Sequence, residues 1–282
     1  MHHDETISPS DYRRLCNLVY GEAGISLGPS KKVMLEGRIR RRLKALAIDS
    51  YRDYCAYLFS DRGLKDELVH LIDVVTTNKT DFFREPKHFE FLTSRALPWH
   101  LRSSESKRPF LVWSAGCSSG EEPYTLAIVL SEYALAHPEF SFRILATDIS
   151  TAVLGKAQLG IYSTETVRPV PQNLRVRYFM RGREHNSQRV RVVPELRRLI
   201  EFRRLNFMDS DYGIQDRFDA IFCRNVIIYF DRQTQQSILE RITQRLTPAG
   251  HLFMGHAETL HELDLPVVQQ APALYRRLDA AP

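Results

Sequence analysis

The stretch from Val112 to Tyr124 constrains the fold more than any other part of this chain. It follows the apolar residues Phe110 and Leu111, and the whole run is typical of a buried strand. Small residues at 114–120 then predict a turn, and residues 126–136 have the pattern of a helix. A strand, a small-residue turn and a helix in that order predict the first βα unit of an open α/β sheet. Small residues let a ligand approach the backbone, and a helix start offers free N–H groups, so we expect a nucleotide-like cofactor here.

Strands and helices alternate from residue 109 onward. Apolar runs predict further strands at residues 142–147, 218–223, 251–254 and 273–278. The last of these is expected to close the sheet as an antiparallel edge. Such alternation predicts a mostly parallel sheet with helices on both faces. We therefore expect an α/β fold, with a Rossmann-like domain over residues 108–282.

Residues 161–200 interrupt the alternation, because they are polar, rich in arginine and rich in turn-forming residues. Strands are predicted at residues 176–180 and 190–193, joined by residues 181–188. The segment is therefore predicted to be a small β-hairpin inserted into the larger domain.

The first 85 residues are predicted to form an all-helical domain. Ser8 can cap a first helix, and Pro9 suits its first position. Helical spacing of apolar residues predicts further helices at residues 30–46, 51–59 and 64–75. Short helices joined by short loops pack as a bundle. Residues 86–107 contain two prolines and a polar run, which predicts a linker between the domains.

The composition excludes several classes of protein. Of the 282 residues, 43% are hydrophobic and 26% charged, as in ordinary globular proteins, and the net charge of +5 is compatible with acidic partners. No apolar run approaches the ~20 residues of a membrane-spanning helix, and the polar amino terminus is unlike a secretory signal. The four cysteines form no CxxC pair, which favours a reducing cytoplasm. Because no helical HExxH motif or His/Cys cluster occurs, we expect no metal site.

Three carboxylates near the first turn are candidates for binding the cofactor. Asp148 ends the second predicted strand, where a carboxylate of nucleotide-binding folds accepts hydrogen bonds from ribose hydroxyls. The alternative is that Asp148 or Ser150 only caps the following helix. Glu121 and Glu122 open the helix after the turn, where either could meet the ammonium of an amino-acid cofactor or simply favour the helix start. The sequence physics does not choose between these two glutamates.

Two further segments are dense in polar side chains beside aromatic ones. Residues 76–85 end the helical domain. Residues 222–231 leave the carboxyl end of a strand, which is where open α/β sheets bind ligands. In this second segment Arg224, Asn225 and Tyr229 are the polar groups expected to face the cleft.

Five stretches taken together resemble a known family. They are TTNKTDFFRE, SAGCSSGEEPYTLA, ATDIS, FDAIFCRNVIIYFD and GHAETL. Through them the chain is similar, from about residue 10 to about residue 278, to the chemotaxis receptor methyltransferases of the CheR family. The resemblance implies a cytoplasmic enzyme that transfers a methyl group from S-adenosylmethionine to glutamate side chains of chemoreceptors, leaving S-adenosylhomocysteine. It also implies the family's small β-subdomain at about residues 161–200.

The resemblance further implies the residues of the site. Cofactor contacts carry over to Asn78, Thr80, Arg84, Glu122, Asp148, Asn206, Phe207, Arg224 and Asn225. Of the two adjacent glutamates, the resemblance thus selects Glu122. Arg84 and Tyr229 are implied to be the groups nearest the reacting methyl, so they are the expected catalytic residues.

A basic helix is the expected docking surface for the receptor. Lysines and arginines crowd the predicted helix at residues 30–46, a pattern that usually means only a solvated face. Because the implied substrate is an acidic helical bundle, we expect Arg38, Arg41 and Arg42 to contact it. Some family members also bind the receptor's carboxyl-terminal peptide through the β-subdomain, and the sequence leaves open whether this chain does.

Two rival functions are a non-catalytic scaffold that binds the cofactor and a nucleic-acid methyltransferase. Enzymes that methylate base amines place a proline-containing tetrad after the fourth strand, whereas residues 224–227 contain no proline. The chain also has no clear arrangement for base flipping. We therefore expect no nucleic-acid partner. No heptad seam indicates an oligomer, so a monomer is expected.

Overall fold

Four amino-terminal helices form a bundle with its own core. The computed structural model describes residues 6–76, 78–103, 107–182 and 188–278. The helices are α1 (Pro9–Ala23), α2 (Lys32–Leu46), α3 (Tyr51–Leu58) and α4 (Asp61–Val75). Ser8 caps α1 by accepting from the N–H of Asp11, and Gly24 ends α1 at φ +68°. Leu15 and Leu35 are fully buried between the helices, so the predicted helical bundle is confirmed.

The segment predicted as a linker is instead helical and packed into the core. Helix α5 (Lys87–Phe91) continues through a π-helical turn (Leu92–Ala96) into α6 (Leu97–Arg102). Phe89 and Leu97 are buried in the core of the larger domain. The prediction of a linker is wrong over these residues because Pro86 only precedes α5, and Pro98 lies in the first turn of α6. A helix tolerates proline at these positions, because its first N–H groups have no hydrogen-bond partner within the helix.

The remaining elements alternate along the chain. The strands in the described residues are β1 (Phe110–Ala115), β2 (Phe142–Asp148), β3 (Ile161–Ser163), β4 (Phe179–Arg181), β5 (Arg189–Val192), β6 (Ile200–Arg204), β7 (Phe218–Cys223), β8 (Leu246–Met254), β9 (Val267–Ala271) and β10 (Leu274–Arg277). The helices are α7 (Glu121–Ala136), α8 (Thr151–Leu159), α9 (Gln172–Tyr178), α10 (Pro194–Arg197) and α11 (Arg232–Gln244). No helix in the described part of the chain is long and apolar enough to cross a membrane.

Seven strands form one mixed sheet in the order β6-β2-β1-β7-β8-β10-β9. The five strands from β6 to β8 run parallel, and β10 and β9 are antiparallel additions. Buried side chains cover both faces, with Phe222 in one cluster and Trp113 in the other. The α/β class is therefore confirmed. Because β2 and β7 flank β1 and run parallel to it, the carboxyl ends of these three strands meet at one edge, which is where such sheets bind ligands.

The structure corrects the predicted edge strand. Residues 274–277 do run antiparallel to β8, as expected, but they lie inside the sheet, because β9 pairs with their outer side. At the opposite edge, β6 pairs with β2 and was not identified from the sequence. It follows directly on the arginine-rich insertion, whose polar composition masks the start of a strand.

The inserted segment forms a small antiparallel sheet in the order β3-β5-β4. Its hairpin of β4 and β5 confirms the predicted insertion, although residues 183–187 of the connecting loop lie outside the described residues. The predicted strand at residues 176–180 is wrong in its first half, because residues 176–178 end helix α9. The β-branched Val176 suggested a strand, but its side chain is exposed. Because the preference of β-branched residues for strands depends largely on packing and burial, an exposed valine does not favour a strand here.

Candidate active site

A cavity lies at the carboxyl ends of β1, β2 and β7. Its wall includes every residue that the resemblance implies as a cofactor contact, namely Asn78, Thr80, Arg84, Glu122, Asp148, Asn206, Phe207, Arg224 and Asn225. Tyr229 lies on the same wall. Residues that are up to 151 positions apart in sequence, from Asn78 to Tyr229, thus share one site.

The turn after β1 needs its two glycines. Gly116 has φ +87°, and a Cβ added there would lie 2.4 Å from Val226 Cγ2. Gly120 has φ +98°, and a Cβ there would lie 2.8 Å from the hydroxyl of Tyr162. Glycine adopts such conformations at no steric cost. The turn can therefore pass close to the cavity while its N–H groups bind neighbouring acceptors.

Asp148 faces this turn from the end of β2. Its Oδ2 accepts from the N–H of Ser118 at 2.8 Å, and its Oδ1 accepts from the N–H of Ser150 at 2.9 Å. Ser150 itself caps α8 through its hydroxyl, which accepts from the N–H of Val153. Burial raises the pKa of Asp148, and the two N–H groups oppose that shift. Ser150, and not Asp148, thus caps helix α8. The Asp148 carboxylate lies at the cavity wall.

The two adjacent glutamates have different surroundings. Glu122 lies on the cavity wall, where its Oε1 accepts from Ser114 Oγ at 2.7 Å and its Oε2 pairs with Arg224 Nε at 2.6 Å. Glu121 instead accepts from Ser119 Oγ at 2.8 Å and does not line this cavity. Burial raises the pKa of Glu121. Of the two glutamates, Glu122 is thus the one on the cavity wall.

Arg224 is a buried hub on the cavity wall, with a side chain that is 3% exposed and contacts several residues. Besides Glu122, its Nη1 donates to the carbonyl of Arg84 at 2.7 Å and lies 3.4 Å from Glu85 Oε2. The same Nη1 lies 3.3 Å from His88 Nδ1. Burial, with Arg224 close by, lowers the pKa of His88 to about 4. A neutral imidazole can accept from the guanidinium, so the cation holds segment 84–88 against β7.

Glu85, His88 and His256 are the one trio in the described residues whose ligand atoms lie close enough together to suggest a metal ion, all within 4.8 Å. Sequence spacing could not reveal it, because the three residues come from two distant segments. However, Arg224 Nη1 already contacts both Glu85 and His88. A guanidinium beside these ligands repels a second cation, so the trio is explained by Arg224.

The implied amide contacts differ in what they can offer a ligand. Asn206 is occupied on both sides, because its Nδ2 donates to the carbonyl of Glu22 at 2.6 Å and its Oδ1 accepts from the N–H of Met208. Asn78 donates to Thr76 Oγ1 at 3.2 Å. Asn225 Oδ1, by contrast, is buried and has no hydrogen-bond partner in the described residues. Asn225 is therefore the amide acceptor that a bound ligand could satisfy.

The helical domain contributes a wall that sequence reasoning missed. Ala23 and Ile25, at the end of α1 and just beyond it, line the cavity. This wall is tied to the larger domain, because the N–H of Ser26 donates to the carbonyl of Tyr229 at 3.2 Å and Tyr20 donates to Asp231 at 2.5 Å. The break between α1 and α2 was visible in the sequence, but no local pattern connected it with residues two hundred positions away.

Two of the three predicted docking arginines have partners inside the helical domain. Arg38 Nη1 donates to the carbonyls of Val74, Val75 and Thr76 at the end of α4. Arg42 makes a paired bond with Glu67, at 2.8 and 2.7 Å, and Glu67 is 1% exposed. Arg41 is exposed on α2. Arg38 and Arg42 thus stabilise the fold. Of the three arginines, Arg41 is the one whose side chain makes no such contact in the described residues.

Comparison with known proteins gives family matches over most of the chain. The family model "CheR methyltransferase, all-alpha domain" matches residues 10–76, and "CheR methyltransferase, SAM binding domain" matches residues 78–272. The chain is 42% identical over 248 residues to "Chemotaxis protein methyltransferase 2" of Pseudomonas aeruginosa. This alignment covers 88% of this chain and 86% of that protein. It is 42% identical over 258 residues to the chemotaxis protein methyltransferase of Salmonella typhimurium, covering 91% and 86% of the two chains. For the protein of that name from Escherichia coli, the identity is 40% over 270 residues, covering 95% and 91%.

Proposed function

Because this chain belongs to the CheR methyltransferase family, it is an S-adenosylmethionine-dependent methyltransferase, and we propose that it methylates glutamate side chains of chemoreceptors. The observation that carries the proposal is the cavity that combines Asp148 and Glu122 with Arg84 and Tyr229. Carboxylates suited to a ribose and an ammonium thus lie beside two groups suited to a carboxylate substrate. A monomer in the cytoplasm remains our expectation from the sequence.

The groups on the cavity wall match the chemistry of S-adenosylmethionine. Asp148 would accept hydrogen bonds from the ribose, and Glu122 would pair with the ammonium. Asn225 Oδ1 would accept an N–H of the base, which satisfies its buried oxygen. When bound, the cofactor supplies an electrophilic methyl group on a sulfonium.

The protein need not remove a proton from the substrate. A glutamate side chain has a pKa of about 4.3 in water, so the incoming carboxylate is already ionised at neutral pH. Catalysis then depends on alignment and on partial exclusion of water. Arg84 orients the carboxylate, since one of its terminal nitrogens is held by the carbonyl of Lys79 at 3.2 Å and the other has no partner in the described residues. Tyr229 donates a hydrogen bond beside the reacting atoms.

Methylation itself is tested with labelled S-adenosylmethionine and membranes that contain receptors. We expect base-labile label in the receptor band, because methyl esters hydrolyse in base. Binding of the cofactor without any transfer would support the scaffold function, and label in nucleic acid would support the other rival.

Removing either proposed catalytic group should slow methyl transfer. We expect Arg84→Ala and Tyr229→Phe each to lower kcat by about 10–100-fold at saturating cofactor, because misplacing reacting groups costs rates of this order. Initial rates with receptor membranes measure the effect, and the exposed Arg168→Ala is the matched control. If both variants keep full activity, the assignment of these two residues is wrong.

Receptor docking is proposed to use the exposed part of α2, with Arg41 at its centre. Arg41→Glu should raise the KM for receptor about fivefold through lost attraction to an acidic surface, and it should leave the affinity for S-adenosylhomocysteine unchanged. Arg42→Glu is expected to lower the melting temperature instead, because it places a second carboxylate beside buried Glu67. An unchanged KM for Arg41→Glu at low ionic strength would exclude α2 as the docking surface.

A receptor tail peptide is proposed to add to the small sheet at β4. In the described residues β4 pairs only with β5, so its other edge is open to a further strand. Met180 is exposed on this strand and could pack against a peptide side chain. Titration with tail peptides is the direct measurement.

A further inference from the structure

Glu258 is a buried carboxylate that binds four backbone N–H groups. Its Oε1 accepts from Val226 at 2.9 Å and from Ile227 at 2.8 Å. Its Oε2 accepts from Asn225 at 2.7 Å and from Gly255 at 2.7 Å. The residue is 6% exposed. A carboxylate with two such bonds on each oxygen has little capacity left for a ligand, so its partners indicate its role.

Two of these four partners lie on the cavity wall, and the other two are next to it in sequence or structure. Asn225 and Val226 line the cavity, and Ile227 begins the 3₁₀ turn that ends at Tyr229. Gly255 follows directly on β8. Glu258 therefore joins the segments that leave the carboxyl ends of the neighbouring strands β7 and β8.

The backbone that Glu258 holds is strained. Asn225 has φ +59°, a left-handed conformation that is uncommon outside glycine, although asparagine adopts it more readily than most residues. Gly255 is packed so closely that an added Cβ would lie 2.5 Å from Asn225 Nδ2. Such local strain persists only where the surroundings hold it in place.

We propose that Glu258 is a positioning residue for methyl transfer, which orders the 225–229 segment so that Asn225 and Tyr229 face the cofactor. The expected effect on methyl transfer through Tyr229 rests on the proposed function. The expected effect on cofactor affinity does not. Glu258 touches neither the cofactor nor the substrate in this role and acts through the backbone that it binds.

Glu258→Gln tests the proposal. Glutamine keeps one acceptor oxygen and turns an N–H₂ group toward two N–H donors, so it cannot hold all four amides. We expect at least a tenfold increase in the Kd for S-adenosylhomocysteine by calorimetry, together with a lower kcat for receptor methylation.

Asp219→Asn is the matched control. Asp219 is also buried and lies near the opposite end of β7, where it binds Arg108 and the N–H of Leu111. This variant should be less stable than the unchanged protein. At temperatures where it is folded, its Kd for S-adenosylhomocysteine should stay within twofold of the Kd of the unchanged protein. If Glu258→Gln behaves in the same way, Glu258 is only structural and the proposal is overturned.

Gly255→Ala provides a second route that leaves Glu258 intact. Its methyl group would displace Asn225, so the same increase in Kd is expected, and an unchanged Kd would contradict the proposal even if Glu258→Gln does not fold. Calorimetry with S-adenosylhomocysteine does not involve a receptor. If the proposed substrate is wrong, the unchanged protein binds the ligand tightly but methylates no receptor. If this inference is wrong, either variant that folds binds the ligand as tightly as the unchanged protein.

Discussion

Asp148→Asn should weaken binding of S-adenosylhomocysteine by about 100-fold, because hydrogen bonds to charged groups contribute about 1.5–3 kcal/mol each and about 1.4 kcal/mol is a factor of ten. Asparagine loses the negative charge that would hold the ribose. It also turns an N–H₂ group toward the N–H of Ser118 or of Ser150, both of which now donate to the carboxylate. Calorimetry at neutral pH measures the change.

The control for this prediction is Ser150→Ala, which removes the cap of α8 and leaves Asp148 in place. Loss of a cap costs about 1 kcal/mol of stability, so this variant should melt earlier and bind the ligand normally. Equal affinities for Asp148→Asn and the unchanged protein would refute the ribose role. Since burial raises the pKa of Asp148, the affinity of the unchanged protein should also fall as the pH drops through that raised value, because protonation removes the charge.

Arg224→Met should lower the free energy of unfolding by about 3–5 kcal/mol, the usual cost of removing one partner from a buried ion pair. The carboxylates of Glu122 and Glu85 are 10% and 11% exposed, and both would lose their cation. Urea unfolding followed by circular dichroism measures the loss.

Arg168→Met is the control, because Arg168 pairs with Glu165 where both side chains are largely exposed. Exposed ion pairs contribute at most about 1 kcal/mol, so this variant should unfold almost as the unchanged protein does. If the two substitutions cost the same, Arg224 is not the hub that its contacts indicate.

Local patterns were sufficient for much of this fold. The strand, turn and helix around Gly116, the cap at Ser8 and the strand that ends at Asp148 all depend on residues within a few positions of one another. Hydrophobic periodicity, capping and turn chemistry act over that range, so a sequence displays them directly. The failures were also local, since Pro98 suggested a break and Val176 suggested a strand.

The candidate site combined both kinds of information. The family resemblance named residues that the fold brings to one cavity, from Asn78 to Tyr229. Yet it could not distinguish an arginine that is free to meet a partner from one that is already bound. Arg42 and Glu67 are 25 positions apart, and their pairing is set by how α2 packs against α4.

The sequence by itself determined the kind of fold, the family and the residue types available for chemistry, because these follow from short motifs and from composition. Only the tertiary structure decided which side chains are occupied. Asn206 is tied to α1 and Arg224 to Glu122 and Glu85, while Glu258 holds the backbone of Asn225, 33 residues earlier in the chain. The physical reason is that a hydrogen bond or ion pair requires atoms within about 3–4 Å, and folding alone brings distant residues that close.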